Sequence, residues 1–377
     1  MRIALISDTF LPQVNGVANV VANSAAELAR RGHEVRVLTV SQGNRTYLQQ
    51  VSGGKYEIHK LSSIPFWSYP DLRLTLPIGS AKRSLRGWKP EIIHVHTPFG
   101  AGYEAKRLAK LYQVPLIGTH HTFFDQYLRY VHIRSQRAAQ LSWRYIVRYY
   151  GRCNLVLSPS ESLLEELKAH GLVAPSQVLG NPVDTERFRP PNVKLSHKRL
   201  MYMGRLSYEK NLTTLLDAFA LVLQQDPDVT LAIVGDGPER LGLRAHANRL
   251  KIGHAVTFCG MLQGEDLVHA LQEATLFLTA SLTENMPLSV LEAMASGLPV
   301  IAPAAKGLPG IIHDSVNGYL VAPNDPIEMA AATLKLLSEP GRAKKYAENA
   351  RQTALHFSTQ HVGARLEAAY YSVLDTY

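Results

Sequence analysis

The chain has 377 residues, a length that allows two domains, each with a core of its own. Its only two cysteines, Cys153 and Cys259, exclude a disulfide framework and a cysteine-based metal site, and they favour a reducing, cytoplasmic setting. No apolar run approaches the ~20 residues that a membrane-spanning helix needs, so any contact with a membrane is expected to be peripheral.

The formal net charge of +9 is distributed unevenly. Residues 1–182 contain 22 lysines and arginines against 11 acidic residues, whereas residues 183–377 contain 18 against 20. The positive excess therefore belongs to the first half. It predicts an anionic partner for that half, which is a membrane surface, a nucleic acid or a charged acceptor.

Short apolar segments rich in β-formers alternate with helical patterns along the whole chain. In the first half the predicted strands are Ile3–Ile6, Val35–Val40, Ile92–Val95, Pro115–Gly118, Leu155–Leu157 and Val178–Gly180. In the second half they are Leu200–Gly204, Thr230–Val234, Val256–Cys259, Leu276–Leu278 and Pro299–Ala302. This alternation predicts an α/β protein with two doubly wound domains and parallel sheets.

Turn residues at Gly180–Asp184 place the boundary between the two domains. We predict a first domain over 1–182 and a second over 183–355. The remaining segment, 356–377, is predicted to be a helix that returns to the first domain. Ligands of doubly wound sheets bind at the carboxyl ends of the strands, so the loops that follow the strands are the place to look for function.

Two loops of the first domain carry candidate site residues. Gly16 follows the first strand and opens a helix that is predicted to end near Gly32, so backbone amides and a helix N-terminus can approach phosphate oxygens there. His121 follows the predicted strand at 115–118 directly after His120. A single histidine in such a place is commonly a packed or capping residue.

Cationic and glycine-rich loops follow the first two strands of the second domain. Arg205 and Lys210 are an arginine fork and a lysine point charge after one strand, which together can neutralise a diphosphate. The next strand leads into Gly235-Asp236-Gly237-Pro238. This loop is not a dinucleotide fingerprint, because no third glycine falls at the required offset.

Two glutamates, Glu284 and Glu292, bracket a polar loop that leads into an amphipathic helix, which Gly297 ends before a buried strand. With the loops above, this pattern resembles the donor domain of the retaining family-4 glycosyltransferases of the GT-B fold, whose signature is Glu-x7-Glu. The segment 181–188 resembles that family's interdomain segment. The resemblance covers the C-terminal half and implies two Rossmann-like domains that face each other across a cleft.

The resemblance also implies roles for individual residues. Arg205 and Lys210 would hold the donor diphosphate, Glu284 would bind hydroxyls of the transferred hexose, and Glu292 would accept hydrogen bonds from the ribose. His121 would polarise or position the sugar, with His120 as the alternative. The remaining donor-binding positions are Gly16, Gly235, Gly237, Met261, Asn285, Met286 and Leu288.

One departure from the family pattern concerns the loop after the first glutamate. The usual Gly-Phe-Gly is Asn285-Met286-Pro287 here, and Pro287 has no N–H to donate. The amides of Met286 and Leu288 are therefore the safer candidates for binding the sugar and phosphate.

The family resemblance implies that no metal or cofactor is required beyond the nucleotide-sugar donor. Asp226-Pro227-Asp228 spells an acidic pair of the kind that some transferases use for a metal, but it precedes a strand and reads as a surface turn. The resemblance further implies retention by front-face attack. A double displacement stays open.

An arginine-rich segment of the first domain bears on whether the acceptor is a membrane lipid. Residues 126–160 contain six arginines and no acidic residue. On a helix, Arg134, Arg137, Arg144, Arg148 and Arg152 fall within a sector of about 80°. Ala139, Trp143, Ile146, Val147 and Tyr150 occupy a separate face. This pattern predicts a helix that lies on an anionic membrane surface, unless the apolar face packs on the domain's own sheet.

Other segments support a peripheral membrane location on the cytoplasmic face. Basic residues recur at 82–89 and 106–110, and Phe66–Pro70 is an aromatic loop that can touch lipid or cover the site. Residues 121–130 resemble the corresponding loop of bacterial diacylglycerol α-glucosyltransferases. UDP-glucose and diacylglycerol are therefore the expected donor and acceptor.

Four alternatives stay open. One is a GDP-mannose-dependent mannosyltransferase acting on phosphatidylinositol, and another is a glycosyltransferase with a soluble acceptor. A nucleotide-sugar epimerase would use the same donor site without an acceptor. A nucleic-acid-binding protein would explain basic residues interleaved with aromatics, but the sequence shows no recognition module, so no nucleic-acid partner is expected.

Overall fold

The computed structural model describes residues 1–13, 15–40, 46–66, 69–76, 78–123, 135–191 and 198–377. The chain divides into two compact units. The first unit consists of Met1–Pro182 together with Thr359–Tyr377, and the second consists of Val183–Ser358.

The described part of the first unit has one large sheet and one separate hairpin. The strands are β1 (Arg2–Ser7), β2 (Glu34–Val40), β3 (Tyr47–Val51), β4 (Gly54–Leu61), β5 (Ser63–Phe66), β6 (Tyr69–Thr75), β7 (Ile92–Val95), β8 (Leu116–Thr119), β9 (Leu155–Ser158) and β10 (Ser176–Val178). The sheet has the order β10-β9-β8-β7-β1-β2-β4-β3, and β5 pairs with β6. Every pair in the sheet is parallel except β3 with β4.

Helices cover the sheet of the first unit. They are α1 (Gly16–Arg30), α2 (Ser80–Ser84), α3 (Gly100–Tyr112), α4 (Gln136–Tyr150) and α5 (Glu161–Ala169). The buried side chains of α3, α4 and α5 belong to one apolar cluster on the sheet, and those of α1 belong to another. Two clusters of this kind are what a doubly wound sheet with helices on both faces requires.

The second unit is a parallel sheet of six strands in the order β13-β12-β11-β14-β15-β16. The strands are β11 (Arg199–Met203), β12 (Thr230–Val234), β13 (Val256–Gly260), β14 (Leu276–Leu278), β15 (Val300–Pro303) and β16 (Gly318–Val321). The helices are α6 (Leu212–Gln225), α7 (Arg240–Arg249), α8 (Gly264–Gln272), α9 (Leu288–Ala295), α10 (Pro326–Ser338) and α11 (Pro340–Leu355).

The structure adds strands that the sequence pattern did not predict. They are the antiparallel edge strand β3, the parallel strand β4, the hairpin β5–β6 and the short edge strand β16. Most residues of β3 are exposed, so it lacks the apolar run that marks a buried strand. The predicted strand Val178–Gly180 was also misplaced, because β10 ends at Val178.

The last helix, α12 (Thr359–Leu374), belongs to the first unit. Leu366 and Tyr370 lie in the same buried cluster as Ile3 and Leu5 of β1. The carboxylate of Glu367 is 2.7 Å from His33 Nε2, and it also pairs with Arg31. The core of the first unit therefore contains residues from both ends of the chain.

This packing predicts a clear difference between two substitutions in α12. Leu366 is 2% exposed, so Leu366→Ala is expected to lower the free energy of unfolding of the first unit by about 2–5 kcal/mol, because it leaves a cavity. Tyr371 is 49% exposed, and Tyr371→Ala is expected to change it by less than about 0.5 kcal/mol. Urea unfolding followed by circular dichroism measures both, and equal losses would contradict the assigned packing.

Candidate active site

Loops that the sequence analysis selected meet at the carboxyl edge of the second sheet. Lys210 follows β11 and Glu284 follows β14, two strands that pair in parallel. Lys210 Nζ lies 2.5 Å from Glu284 Oε1, although the residues are 74 positions apart. Both side chains are mostly buried, with 21% and 16% of their surface exposed. The fold thus brings the side chain predicted to bind the diphosphate into contact with the side chain predicted to bind the hexose.

Close backbone contact explains the glycines of the loop after β12. A Cβ at Gly235 would lie 1.9 Å from the carbonyl oxygen of Gly204, and one at Gly237 would lie 2.3 Å from that of Leu206. The two loops also exchange backbone hydrogen bonds, since Gly204 N donates to Val234 O at 3.0 Å and Leu206 N donates to Asp236 O at 2.9 Å. These glycines let the loop that carries Arg205 and the loop at 235–239 lie directly against each other.

A further glycine, which the sequence analysis missed, supports the loop that contains Glu284. Gly307 N donates to Glu284 O at 3.0 Å, and a Cβ at Gly307 would lie 1.5 Å from the carbonyl oxygen of Asn285. The sequence could have indicated Gly307, because it follows the predicted strand at 299–302. The other candidate loops were recognised by the same position after a strand. Gly307 is therefore part of the framework that fixes the backbone of the acidic loop.

The other predicted donor residues of the second unit lie at the same edge. Arg205 is exposed, and Met261, 52% exposed, follows Gly260, whose carbonyl oxygen accepts from Gly235 N at 2.8 Å. Asn285, Met286 and Leu288 are all buried. Helix α9 begins at Leu288 with Pro287 as its N-cap, and no side chain caps it.

Glu292 lies in the second turn of α9. The residue keeps some exposed surface, yet the atoms around its carboxyl group exclude most water, and this burial raises the pKa to about 8. The positive charge of Arg187 acts in the opposite direction and only reduces the rise. Without a ligand, the carboxyl group is therefore mostly protonated at neutral pH.

In the first unit, Gly16 is the first residue of α1 and is exposed. Nothing in the described residues lies within 4 Å of a Cβ added at Gly16. Asn15 caps the helix, since its Oδ1 accepts from Ala18 N at 2.8 Å, and its Nδ2 donates to Thr9 Oγ1 at 2.6 Å. The loop after β1 is thus fixed by its own side chains, and the first turn of α1 stays open.

Asp8 organises this edge of the first sheet, and the sequence analysis assigned it no role. Its carboxylate accepts hydrogen bonds from Thr75 N, Ala101 N and Thr97 Oγ1, at 2.9–3.0 Å. Burial raises its pKa, and these hydrogen bonds reduce the rise. One buried carboxyl group therefore ties the loop after β1 to three other segments of the first unit.

The predicted catalytic histidine belongs to a cluster with other histidines. His121 follows β8, and its Nε2 lies 3.0 Å from Nδ1 of His96, which follows β7. The rings of His94 and His96 are 4.2 Å apart. His120 turns away from this pair toward Tyr150 and Trp143. Burial is the main cause that lowers the pKa of His121 to about 3, so its ring is neutral at physiological pH.

The arginine-rich helix exists, but its apolar face has a structural role. In α4, Trp143, Ile146 and Tyr150 are buried in the core of the first unit. Of the two alternatives that the sequence left open for this face, the structure shows packing in the core of the domain. Arg137, Arg144 and Arg148 are exposed, and Arg152 is exposed beyond the end of the helix.

Some sequence-based predictions lie outside the described residues. They concern Val14 in the loop before Gly16, Trp67 and Ser68 of the aromatic loop, Arg134 of the basic stripe, and 124–130 of the segment that resembles diacylglycerol glucosyltransferases.

Comparison with known proteins matches both units to glycosyltransferase families. Residues 14–187 match the model for "Glycosyltransferase Family 4", and residues 184–353 match "Glycosyl transferases group 1". The protein is therefore a nucleotide-sugar-dependent glycosyltransferase with the GT-B fold. More narrowly, the chain belongs to the family-4 glycosyltransferases, which confirms the resemblance seen in the sequence.

Two curated relatives are each 30% identical to the chain. The alpha-monoglucosyldiacylglycerol synthase of Streptococcus pneumoniae (strain ATCC BAA-255 / R6) aligns over 85% of this chain and 75% of its own length. The GDP-mannose-dependent alpha-mannosyltransferase of Mycolicibacterium smegmatis aligns over 94% and 93%. Among solved structures, that of Anabaena HepE in complex with UDP-glucose is similar in fold, with a TM-score of 0.76, 19% identity, and coverage of 99% and 100%.

Neither a membrane-spanning helix nor a cluster of metal ligands is present among the described residues. No helix there combines the length and apolar character that crossing a bilayer would take. Within the same ranges, no three His, Cys, Asp or Glu side chains are grouped as ligands of a metal ion would be. Asp226 of the acidic turn is instead paired with Lys198, at 2.6 Å.

The raised pKa of Glu292 predicts a pH dependence of stability. Between the ordinary carboxyl pKa of about 4.5 and the folded-state value of about 8, the folded protein binds more protons than the unfolded chain. The free energy of unfolding of the second unit is therefore expected to fall as pH rises through this window. Glu292→Gln removes the titrating group and is expected to flatten the curve.

The measurement is urea unfolding of the wild type and the variant from pH 4.5 to 9. Glu265→Gln, at an exposed position of α8, is the control and should leave the pH dependence as it is in the wild type. A Glu292→Gln curve parallel to that of the wild type would show that Glu292 is not the group responsible.

Proposed function

We propose that this protein is a retaining hexosyltransferase that transfers glucose from UDP-glucose to diacylglycerol at the cytoplasmic face of an anionic membrane, without a metal ion. The observation that carries the donor half of the proposal is the Lys210–Glu284 ion pair at the carboxyl ends of β11 and β14. A cation suited to bind a diphosphate lies there beside a carboxylate suited to bind sugar hydroxyls.

The donor is held by groups of the second unit. Lys210 and the exposed Arg205 neutralise the diphosphate as negative charge develops on it. Glu284 accepts hydrogen bonds from sugar hydroxyls, and the amides of Asn285, Met286 and Leu288 line the pocket at the start of α9. The remaining donor groups are Gly235 and Gly237 beside the diphosphate, Met261 near the base and Glu292 at the ribose.

The proposed transfer step retains the configuration of the anomeric carbon. The bond between the anomeric carbon and the phosphate oxygen breaks while the acceptor hydroxyl oxygen bonds to the same face of that carbon. The hydroxyl proton passes to the departing phosphate oxygen, so no protein carboxylate is needed as a nucleophile. Gly16 at the start of α1 offers backbone amides to the phosphate, and His121 positions the sugar.

The choice of glucose and a lipid acceptor is supported by a relative. The pneumococcal protein is named as a monoglucosyldiacylglycerol synthase, and it covers most of this chain. A second candidate is transfer of mannose from GDP-mannose. The Mycolicibacterium mannosyltransferase supports it, because its sequence is as similar to this chain as that of the pneumococcal protein, at 30% identity. No group described near Met261 decides between uracil and guanine.

The surface formed by α3 and α4 supports the membrane half of the proposal. The two helices are in contact, since Tyr149 OH donates to Gly102 O at 2.9 Å. Leu141 is 61% exposed and Tyr103 is 57% exposed, and exposed arginines accompany them on α4. Exposed apolar side chains together with arginines suit an anionic lipid surface. We expect the side of α4 opposite its buried face to contact the lipid.

A second basic area is a pocket between β2, β4 and α2. Arg36, Lys60, Arg83 and Arg86 line it together with hydroxyl side chains. Arg36 is neutralised in part by Glu57, at 2.8 Å. This pocket adds positive charge to the first unit, as expected for a domain that meets anionic headgroups.

A donor panel tests the proposal directly. UDP-glucose, UDP-galactose, UDP-N-acetylglucosamine and GDP-mannose are compared for nucleotide release, with and without anionic vesicles that contain diacylglycerol. We expect release from UDP-glucose that depends on the vesicles, and Lys210→Ala is expected to lower it by about 10²-fold or more. Nucleotide release from GDP-mannose and from no other donor would favour the second candidate. Nucleotide release that is the same with and without vesicles would indicate a soluble acceptor.

Two further measurements distinguish a glycosyltransferase from an epimerase and from a nucleic-acid-binding protein. Conversion of the donor to an isomeric nucleotide sugar without any acceptor would identify an epimerase. Salt-dependent binding of nucleic acid that leaves nucleotide release unchanged would support the nucleic-acid reading of the basic residues.

The membrane surface predicts the effect of charge reversal on α4. Arg144→Glu combined with Arg148→Glu is expected to abolish sedimentation with anionic vesicles, because two exposed cations become anions. Hydrolysis of the donor is expected to continue, because the loops that hold the donor belong to the second unit. Lys344→Glu combined with Lys345→Glu, at exposed positions of α11, is the matched control. Vesicle binding that survives the changes in α4 would assign membrane contact to another surface.

A further inference from the structure

The histidine cluster at the carboxyl edge of the first sheet contains a hydrogen bond that the proposed function does not use. Nδ1 of His96 and Nε2 of His121 are 3.0 Å apart, and their rings are nearly parallel, at 18°. On its other side, His96 lies against His94. His94 is fixed at both nitrogens, with Tyr370 OH and Thr119 Oγ1 each 2.7 Å away. Helix α12, the site of Tyr370, thus buttresses this cluster.

Both partners of the hydrogen bond are neutral imidazoles. Burial lowers the pKa of His96 well below 6.5, and the neighbouring rings of His94 and His121 lower it further. The pKa of His121 is lowered to about 3. Each ring therefore carries a single N–H at neutral pH, and only one hydrogen lies between the two nitrogens. The direction of this hydrogen bond then decides the tautomer of both residues.

The far nitrogen of His96 selects the direction. Nε2 of His96 is buried and has no hydrogen-bond partner in the described residues. If His96 accepted from His121, its own proton would be on that Nε2, and a buried N–H would have no acceptor. If His96 donates from Nδ1, only a lone pair is left without a partner there. Unpaired buried N–H groups are the rarer case in proteins, so donation by His96 is favoured.

We propose that His96 is a positioning residue, which donates Nδ1–H to His121 Nε2 and thereby fixes His121 in its ring orientation and as the Nδ1–H tautomer. This rests on the proposed function only in that His121 is taken to face the transferred hexose; the hydrogen bond itself belongs to the first unit alone.

The assignment has a chemical consequence for the reaction. With Nε2 occupied as an acceptor and the proton held on Nδ1, His121 has no lone pair left with which to remove the proton of the acceptor hydroxyl. It is suited to orient or polarise a sugar oxygen, and not to act as a general base. The departing phosphate is then the group that takes the hydroxyl proton, as in the front-face mechanism.

Nitrogen-15 NMR of the full-length protein with labelled histidine tests the tautomer without any substrate. Two-bond proton–nitrogen correlations distinguish a protonated from an unprotonated ring nitrogen, and a His121→Gln sample identifies the His121 signals. We expect Nε2 of His121 to be unprotonated and Nδ1 to be protonated between pH 6 and 8. A proton on Nε2 of His121 in the wild type would overturn the proposal.

Kinetics test whether the hydrogen bond matters to transfer. His96→Leu removes the donor and is expected to lower kcat by about tenfold to a hundredfold, a typical cost of losing a group that orients a functional residue, with little change in the KM of the donor. His96→Asn places an amide N–H where Nδ1–H was, and it is expected to restore most of kcat. His170→Leu, a histidine of the same unit that stacks on Trp143, is the control.

The outcomes separate this inference from the proposed function. Equal kcat values for His96→Leu and the wild type would overturn the positioning role, as would a failure of His96→Asn to recover activity in a protein with unchanged NMR signals elsewhere. If the wild type transfers no hexose at all, the proposed function fails, and the NMR result still decides the tautomer and the role of His96.

Discussion

Parallel strand pairing is the constraint on which the rest of this structure depends. Strands that run parallel in one sheet place all their carboxyl ends at the same edge, and the loops that follow them meet there whatever their separation along the chain. In the second unit this brings together Lys210 and Glu284 from loops after β11 and β14. In the first unit it brings together Asp8, His96 and His121 after β1, β7 and β8.

Each edge is then made rigid in its own way. In the second unit, backbone lies directly on backbone, which only glycine permits at Gly235 and Gly307. In the first unit, buried polar side chains do the same work, since the carboxyl group of Asp8 accepts from two amides and a hydroxyl, and His94, His96 and His121 are joined in a row. Rigid edges of both kinds suit a reaction whose catalysis depends on orienting a sugar and stabilising a diphosphate.

Glu292 in the second unit and His121 in the first are both held in their neutral forms by burial. Burial raises the pKa of Glu292 to about 8 and lowers that of His121 to about 3. A neutral histidine can orient a sugar oxygen without bringing a charge of its own. Charged side chains at the edge of the second sheet are instead Arg205, Lys210 and Glu284, the residues proposed to bind the diphosphate and the sugar.

The sequence by itself determined the alternation of strands and helices, the loops with functional residues and the glycosyltransferase family, because buried parallel strands and strand-end glycines leave a strong local pattern. It did not reveal the edge strand β3, whose residues are mostly exposed and lack that pattern. Tertiary structure alone decided the partners. The apolar face of α4 packs inward, Gly307 supports the loop of Glu284, and His96 contacts His121. Such contacts join residues from distant parts of the chain, and no local preference encodes them.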